Sequence, residues 1–321
     1  MIALTHTRTI STEATELLED ISFPQKVHWL PDTYARVSTG LFYPPHRLAE
    51  KVLDPTLIKL LRDTPSKKTA FILAAGNAHF AGVPANPRNS RLSYQYKPLP
   101  LTLTQVYASR IAQACGASDH IVTDSTACAS SLKALMDVQT LLNFYGFTRV
   151  VVLSVEDAVS NLVLEFFGET KACLTLKGEE SGKLPSAFDA VNGQFHVGQG
   201  AAFAVFESEE GLAMSGFTPK AYLLGAYTAS ERCANAMGQL EDGTGFVRAA
   251  EGAIEMAKVK PSDIRIVKTH GTGTESNNKA EGAALTHLLP DGFVATSLKP
   301  TIGHTMGASG LLETADRKTH V

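Results

Sequence analysis

Three short segments hold the residues best suited to covalent chemistry. They are Cys128 in TDSTACASSLKAL (123–135), His270 in KTHGTGTESNNKAEGAAL (268–285), and His304 with Lys299 in SLKPTIGHTMGASGLLE (297–313). In the first, an apolar run ends in small residues and a helical pattern begins at or just after Cys128. A thiol at that corner meets the unsatisfied N–H groups and positive end of a helix. Such a site is expected to lower a cysteine pKa from about 8.5 and so to favour the thiolate nucleophile. The corner is similar to the strained nucleophile turns of hydrolases, with a different signature. In the second segment, Gly271 and Gly273 let the backbone crowd a substrate. In the third, Gly303, Gly307 and Gly310 surround His304. Taken singly, a cysteine is most often a buried structural residue, and a histidine before glycine is usually a satisfied loop residue. The combination in one chain carries the argument.

These side chains need rigid elements to hold them. TAFILAAG (69–76), HIVTD (120–124) and TRVVVLSV (148–155) are short, apolar and partly β-branched, which predicts buried strands. Helical spacing over LTQVYASRIAQACG (103–116) and SSLKALMDVQTLL predicts helices between them, and GQFHVGQGAAFAVFES (193–208) suggests a hairpin. A second half opens near AYLLGAYT (221–228) and repeats the scheme. FVRAAEGAIEMAK (246–258) reads as a helix stopped by Pro261, and DIRIVKTHG (263–271) as a strand entering a glycine turn. KAEGAALTHLL (279–289) reads as helix, FVATSLK (293–299) as strand and ASGLLETADRK (308–318) as helix. This alternation predicts an α/β layered fold with mostly parallel strands. Two units are expected, residues 1–208 with the nucleophile and 209–321 with the histidines. The polar stretch near 177–185 reads as a surface loop.

Composition narrows the function classes. The chain has 321 residues, 44% hydrophobic and 19% charged, enough for a large core. A net charge of −3 and a single Trp give no basic, ring-interleaved stripe for nucleic acid. No run approaches the roughly 18 apolar residues that span a bilayer, and the opening MIALTHTRTISTEATELLEDISF carries four carboxylates, unlike a secretory signal. Cys115, Cys128, Cys173 and Cys233 show no C-x-x-C spacing, so no metal site or disulfide framework is suggested. A reducing cytoplasm is the expected setting.

In order, TACASS, HGTGT and K-x-x-x-GH-x-x-GASG resemble the β-ketoacyl synthase family of the thiolase superfamily, over about residues 69–314. LPLTLTQVYASRIAQACG and SAFDAVNGQFHVGQGAAFAVFE resemble further family segments, while the family's opening strand and glycine turn are not recognisable upstream. The resemblance implies a thiolase-like α-β-α-β-α fold with two related halves. It implies that Cys128 takes an acyl group from an acyl carrier protein or coenzyme A thioester. A malonyl-type extender then loses carbon dioxide and its enolate attacks that thioester, as in fatty acid or polyketide synthesis. His270 and His304, if neutral, would donate N–H bonds to the extender carbonyl. Lys299 matches a family lysine near the histidines, Glu281 the acid that pairs with it, and Glu313 a further site acid. No metal or other cofactor is needed. Dimers in the family form through the strand before the nucleophile, here 120–124, so a homodimer or a heterodimer with a related synthase is expected. Arg62, Lys67, Lys68 or Lys133 could receive an acidic carrier.

The pattern also departs from the family. Gln199 stands where Glu is usual, and Asn278 where Asp is usual. Soon after GHTMGASGLLE the sequence turns polar as TADRKTHV, whereas family members continue through further strands and a loop that supplies an oxyanion donor. The C-terminal half is therefore expected to be incomplete. Two other readings stand beside the condensing enzyme. One is a chain-length-factor-like partner in a heterodimer, and the other an acyltransferase or thioester hydrolase using the same cysteine.

Overall fold

The computed structural model describes residues 1–11, 28–30, 34–36, 52–53, 55–76, 104–157, 197–231, 238–290 and 292–316, and Phe167, Phe188, Phe195 and Cys233 singly. In chain order the strands are β1 (Ile2–Ser11), β2 (His28–Leu30), β3 (Tyr34–Arg36), β4 (Thr69–Ala74), β5 (His120–Asp124), β6 (Arg149–Asp157), β7 (Gln199–Glu207), β8 (Ala221–Leu223), β9 (Ile266–Lys268) and β10 (Val294–Thr296). The helices are α1 (Pro55–Asp63), α2 (Thr104–Ala114), α3 (Ser130–Phe144), α4 (Glu209–Ser215), α5 (Thr244–Ala257), α6 (Glu275–Leu288), α7 (Lys299–Ile302) and α8 (Ser309–Ala315).

Six strands form the main sheet in the order β5-β4-β6-β7-β1-β8. Helical crossovers α2 and α3 return the chain in the same direction, so β5, β4 and β6 run parallel. The remaining neighbours, β6 with β7, β7 with β1 and β1 with β8, are antiparallel. The sheet is therefore mixed, not mostly parallel. Nor is 193–208 a hairpin: Gln199–Glu207 is one continuous strand with β6 on one side and β1 on the other. Strand β1 lies upstream of every segment read as a strand from the sequence. The polar stretch near 177–185 lies outside the described residues.

Alternate residues of the sheet fill two cores. Ile72, Val150, Val152, Ala204 and Phe206 face α3 and α8, which contribute Ala134, Leu135, Val138, Leu141, Leu311 and Leu312. Phe71, Leu73, Val151, Leu153 and Phe203 face α1 and α2 with Leu61, Ala108 and Ala112. Each large aliphatic side chain so buried contributes about 1.5–3 kcal/mol. With both faces covered, the sheet is the middle layer of an α-β-α sandwich. Elements beyond residue 208 are built into it, since β8 extends the sheet and α8 lies in the core beside α3. Two smaller sheets stand beside it among the described residues, the parallel pair β9 and β10 and the antiparallel pair β2 and β3.

The two halves share a turn. T-x-x-A-S-x-L occurs at 126–132 and again at 305–311, and the backbone repeats with it. Ala127 and Met306 have φ of 48° and 43°. Ala129 and Ala308 have φ of −89° and −82°, and Ser130 and Ser309, which open α3 and α8, have φ of −50° and −53°. Each turn is one 3-10 stretch whose second residue is Cys128 in one copy and Gly307 in the other.

Candidate active site

Cys128 follows the end of β5 by four residues and sits in the 3-10 turn that leads into α3. The preceding Ala127 holds a left-handed φ of 48°, a strained conformation for a side-chain-bearing residue. Cys128 is partly buried and packs, like Phe167 and Val197, against the cluster of Phe195 and Met306, and its Sγ lies 3.8 Å from Met306 Sδ. The helix terminus does not win here. Burial pushes the thiol up to about 11, Lys299 and the cysteine's own N–H pull it down, and Glu156 pushes it up. The expected lowered pKa is thus corrected: removing the thiolate from water costs more than the turn returns, and the resting group is a thiol.

His270 follows β9 and His304 follows α7, and their rings meet edge to face at 5.3 Å. Burial, then Lys299, lowers His270 to about 3. Burial, Lys299 and His270 together hold His304 well below its usual value. Both imidazoles are neutral at physiological pH. His304 is 2% exposed, and its Nδ1 lies 3.2 Å from the Met306 N–H and 3.1 Å from Ser309 Oγ. A backbone N–H can only donate, so Nδ1 is the acceptor and the ring proton sits on Nε2. Met306 thereby links the two motifs, touching the Cys128 sulfur with its thioether and His304 with its backbone. Phe195 closes the same group, with its ring 5.2 Å from that of His304.

The three supporting residues are buried: Glu281 is 5%, Lys299 6% and Glu313 8% exposed. Their pairing differs from the expectation that Glu281 neutralises Lys299. Lys299 Nζ lies 3.1 Å from Glu313 Oε1. The Glu281 carboxylate instead accepts the backbone N–H groups of His270 at 2.5 Å and Gly271 at 2.8 Å, and Asn277 Nδ2 at 3.0 Å. Those N–H groups leave a strand end with no ladder partner, and a carboxylate is the strongest acceptor available to them. Gly271 is required there, because at φ 53° a Cβ would lie 2.7 Å from that of Ser297.

Sequence reasoning missed Glu156 and Met306. Glu156, near the end of β6, is fully buried and accepts the N–H groups of Gly76 and Gly307. Its signal was an acid pair closing an apolar run, RVVVLSVED. The two departures, Gln199 and Asn278, each leave a buried amide oxygen without a hydrogen-bond partner among the described residues. Of the basic residues proposed to receive a carrier, Lys133 is held by Asp124 and Asp137 at 2.8 and 2.5 Å. Lys67 is paired with Glu210 and Arg62 with Asp63, while Lys68 lies over the Phe147 ring. None is an uncommitted cation.

The sulfur, the imidazole pair and the ammonium follow the carboxyl ends of β5, β9 and β10, where α/β sheets place their ligands. Two family models match: "Beta-ketoacyl synthase, N-terminal domain" over residues 53–211, and "Beta-ketoacyl synthase, C-terminal domain" over 221–317. A putative polyketide beta-ketoacyl synthase 1 of Streptomyces halstedii is 29% identical over 64% of this chain and 49% of its own. A 3-oxoacyl-[acyl-carrier-protein] synthase 2 of Rhizobium meliloti is 29% identical over 59% of this chain and 45% of its own. Among solved structures, a ketosynthase bound to a hexaketide, in complex with its type II PKS acyl-carrier protein, covers 82% of this chain and 65% of that one, at TM-score 0.68 and 22% identity. The ketosynthase of module 6 of the bacillaene synthase from Bacillus subtilis 168 covers 84% and 46%, at TM-score 0.64 and 18% identity. The fold is that of the ketosynthases, and the chain spans about half the length of the curated relatives it matches. The chain belongs to the β-ketoacyl synthase family.

Proposed function

We propose that the chain carries the site of a decarboxylative Claisen condensation, with Cys128, His270 and His304 as its catalytic residues. In loading, the Cys128 sulfur attacks an acyl thioester. The new thioester forms as the donor's carbon–sulfur bond breaks, and the proton of Cys128 leaves with the released thiol. A malonyl-type thioester then loses carbon dioxide. Negative charge grows on its carbonyl oxygen, where two neutral imidazoles donate N–H bonds without themselves carrying charge. The enolate carbon attacks the Cys128 thioester, a carbon–carbon bond replaces the carbon–sulfur bond, and the departing thiolate takes a proton from water to regenerate the thiol. Holding both partners makes that step effectively unimolecular.

One observation carries this reading: His304 Nδ1 is occupied by the Met306 N–H, which leaves Nε2–H free to donate beside the cysteine turn. Burial, aided by the positive charge of Lys299, keeps both rings neutral, and Glu313 balances that charge. The acyl donors are carrier-protein or coenzyme A thioesters. A second chain is expected along β5, an edge strand of the main sheet whose other side carries no strand among the described residues, either as a homodimer or with a related synthase. No described helix is long and apolar enough to cross a membrane, and the cysteine usage suits a reducing cytoplasm.

The test is intact-mass analysis after incubation with acyl-carrier and acyl-coenzyme A donors of several lengths, followed by malonyl thioester. Acyl mass on Cys128, discharged only when extender is added, is the expected result. Acylation that simply hydrolyses would assign an acyltransferase or thioester hydrolase. The partly buried, Met306-covered thiol favours a second reading, a chain-length-factor-like partner. A folded chain that never loads, yet co-purifies with an active synthase, would establish it.

A further inference from the structure

Glu156 is 0% exposed, and its Oε2 accepts backbone N–H bonds from Gly76 at 2.7 Å and Gly307 at 3.1 Å. Gly76 ends the segment after β4, and Gly307 lies in the turn that follows His304. Both donors approach so closely that a Cβ on either would sit 2.9 Å from Oε2, and one on Gly307 would lie 2.4 Å from Gly76 N. Gly76 is also backed against the nucleophile turn, since its Cβ would meet the Ala127 carbonyl oxygen at 3.0 Å and Ser125 Oγ reaches its carbonyl at 3.4 Å. Ser154, two residues earlier on β6, repeats the link, with its Oγ 2.9 Å from Ala74 O and 3.1 Å from Gly307 O. One side chain of β6 thus holds together the segment behind the nucleophile turn and the turn after His304.

We propose that Glu156 is a positioning residue for the condensation site: one buried carboxylate ties the Cys128 turn to the His304 turn through Gly76 and Gly307, and sets a negative charge against that of Lys299 at the thiol. The charged groups acting on Cys128 are Lys299, which favours the thiolate, and Glu156, which opposes it. The neighbouring His270 and His304 are neutral. Burial is the main cause of the raised thiol, and the charge of Glu156 adds to it.

The inference rests on reading Cys128 as the nucleophile, so its test uses iodoacetamide, which needs no acyl donor. Alkylation of Cys128 in the full chain is followed by peptide mass spectrometry against pH, for wild type, Glu156→Gln and Glu156→Ala, with thermal unfolding alongside. The Gln variant should fold, because its amide oxygen accepts both N–H bonds. Its alkylation midpoint should fall by about one pH unit, a roughly tenfold faster reaction at a fixed pH below the midpoint. The Ala variant should load from acyl thioesters at least about tenfold more slowly than Gln, which restores the tie. A folded Gln variant with a wild-type alkylation profile overturns the proposal, as does an Ala variant that loads as wild type does. If Ala fails to fold, the Gln profile decides. Should wild type alkylate at Cys128 yet never load, the condensation reading fails, and the Gln shift still decides the role of Glu156.

Discussion

Lys299 Nζ lies 3.1 Å from Glu313 Oε1, with the two side chains 6% and 8% exposed. This is the buried ion pair of the site, and it joins the first residue of α7 to α8. The same ammonium acts on Cys128, His270 and His304. One cation therefore serves the fold and the chemistry together.

Lys299→Met would strand the Glu313 carboxylate, whose Oε2 has no hydrogen-bond partner among the described residues. Burial already raises the Glu313 pKa against the pull of Lys299. The expected loss is about 3–5 kcal/mol in urea denaturation. Lys299→Met/Glu313→Leu should recover most of it while leaving the alkylation midpoint of Cys128 higher than in wild type. A single variant as stable as wild type would mean the pair does not hold α7 to α8.

Acid should destabilise the folded chain through its histidines. Folding depresses His270 from 6.5 to about 3, so between these values the unfolded chain binds more protons. Stability is full above about 6.5 and falls as pH drops through that window, by about 1.4 kcal/mol per unit for each such histidine. Asp124, raised to about 6 by burial, slopes the other way in wild type and variant alike. The difference between wild type and His270→Gln in denaturation at several pH values isolates the imidazole. Parallel curves would contradict its burial as a neutral ring.

Met306 covers the nucleophile. Its side chain is 1% exposed, so Met306→Ala should cost about 2–5 kcal/mol. The same change uncovers the sulfur, and Cys128 alkylation at fixed pH should rise several-fold. Slower alkylation in a folded variant would mean that the thioether activates the thiol instead of covering it.

Arg149 provides a control remote in role from catalysis. Its Nε donates to Glu207 Oε1 at 2.8 Å, and its guanidinium also reaches the carbonyls of Leu61 in the last turn of α1 and of Thr64 and Pro65 just after it. Arg149→Met leaves Glu207 buried and should cost about 3–5 kcal/mol. The alkylation profile of Cys128 should stay unchanged wherever the variant remains folded.

The sequence by itself marked the elements around the candidate site and the motif residues that those elements bring together. Period and glycine punctuation marked β4, β5, β6, α3, α5 and α6, and three ordered motifs singled out Cys128, His270 and His304. Those signals are local, set by residues within a turn or a strand of one another. Tertiary structure alone decided the rest. Strand β1 went unread because a half-polar run such as HTRTIS shows its role only once β7 lies beside it. The sheet proved mixed because strand direction after β6 depends on a connection, not on a pattern. The acid partner of Lys299 is Glu313 because α8 docks beside it, whereas Glu281 faces the His270 turn. Glu156 gathers donors 80 and 151 positions away. The Cys128 thiol is raised instead of lowered because desolvation depends on every chain segment that closes over a group, and no window of sequence contains them all.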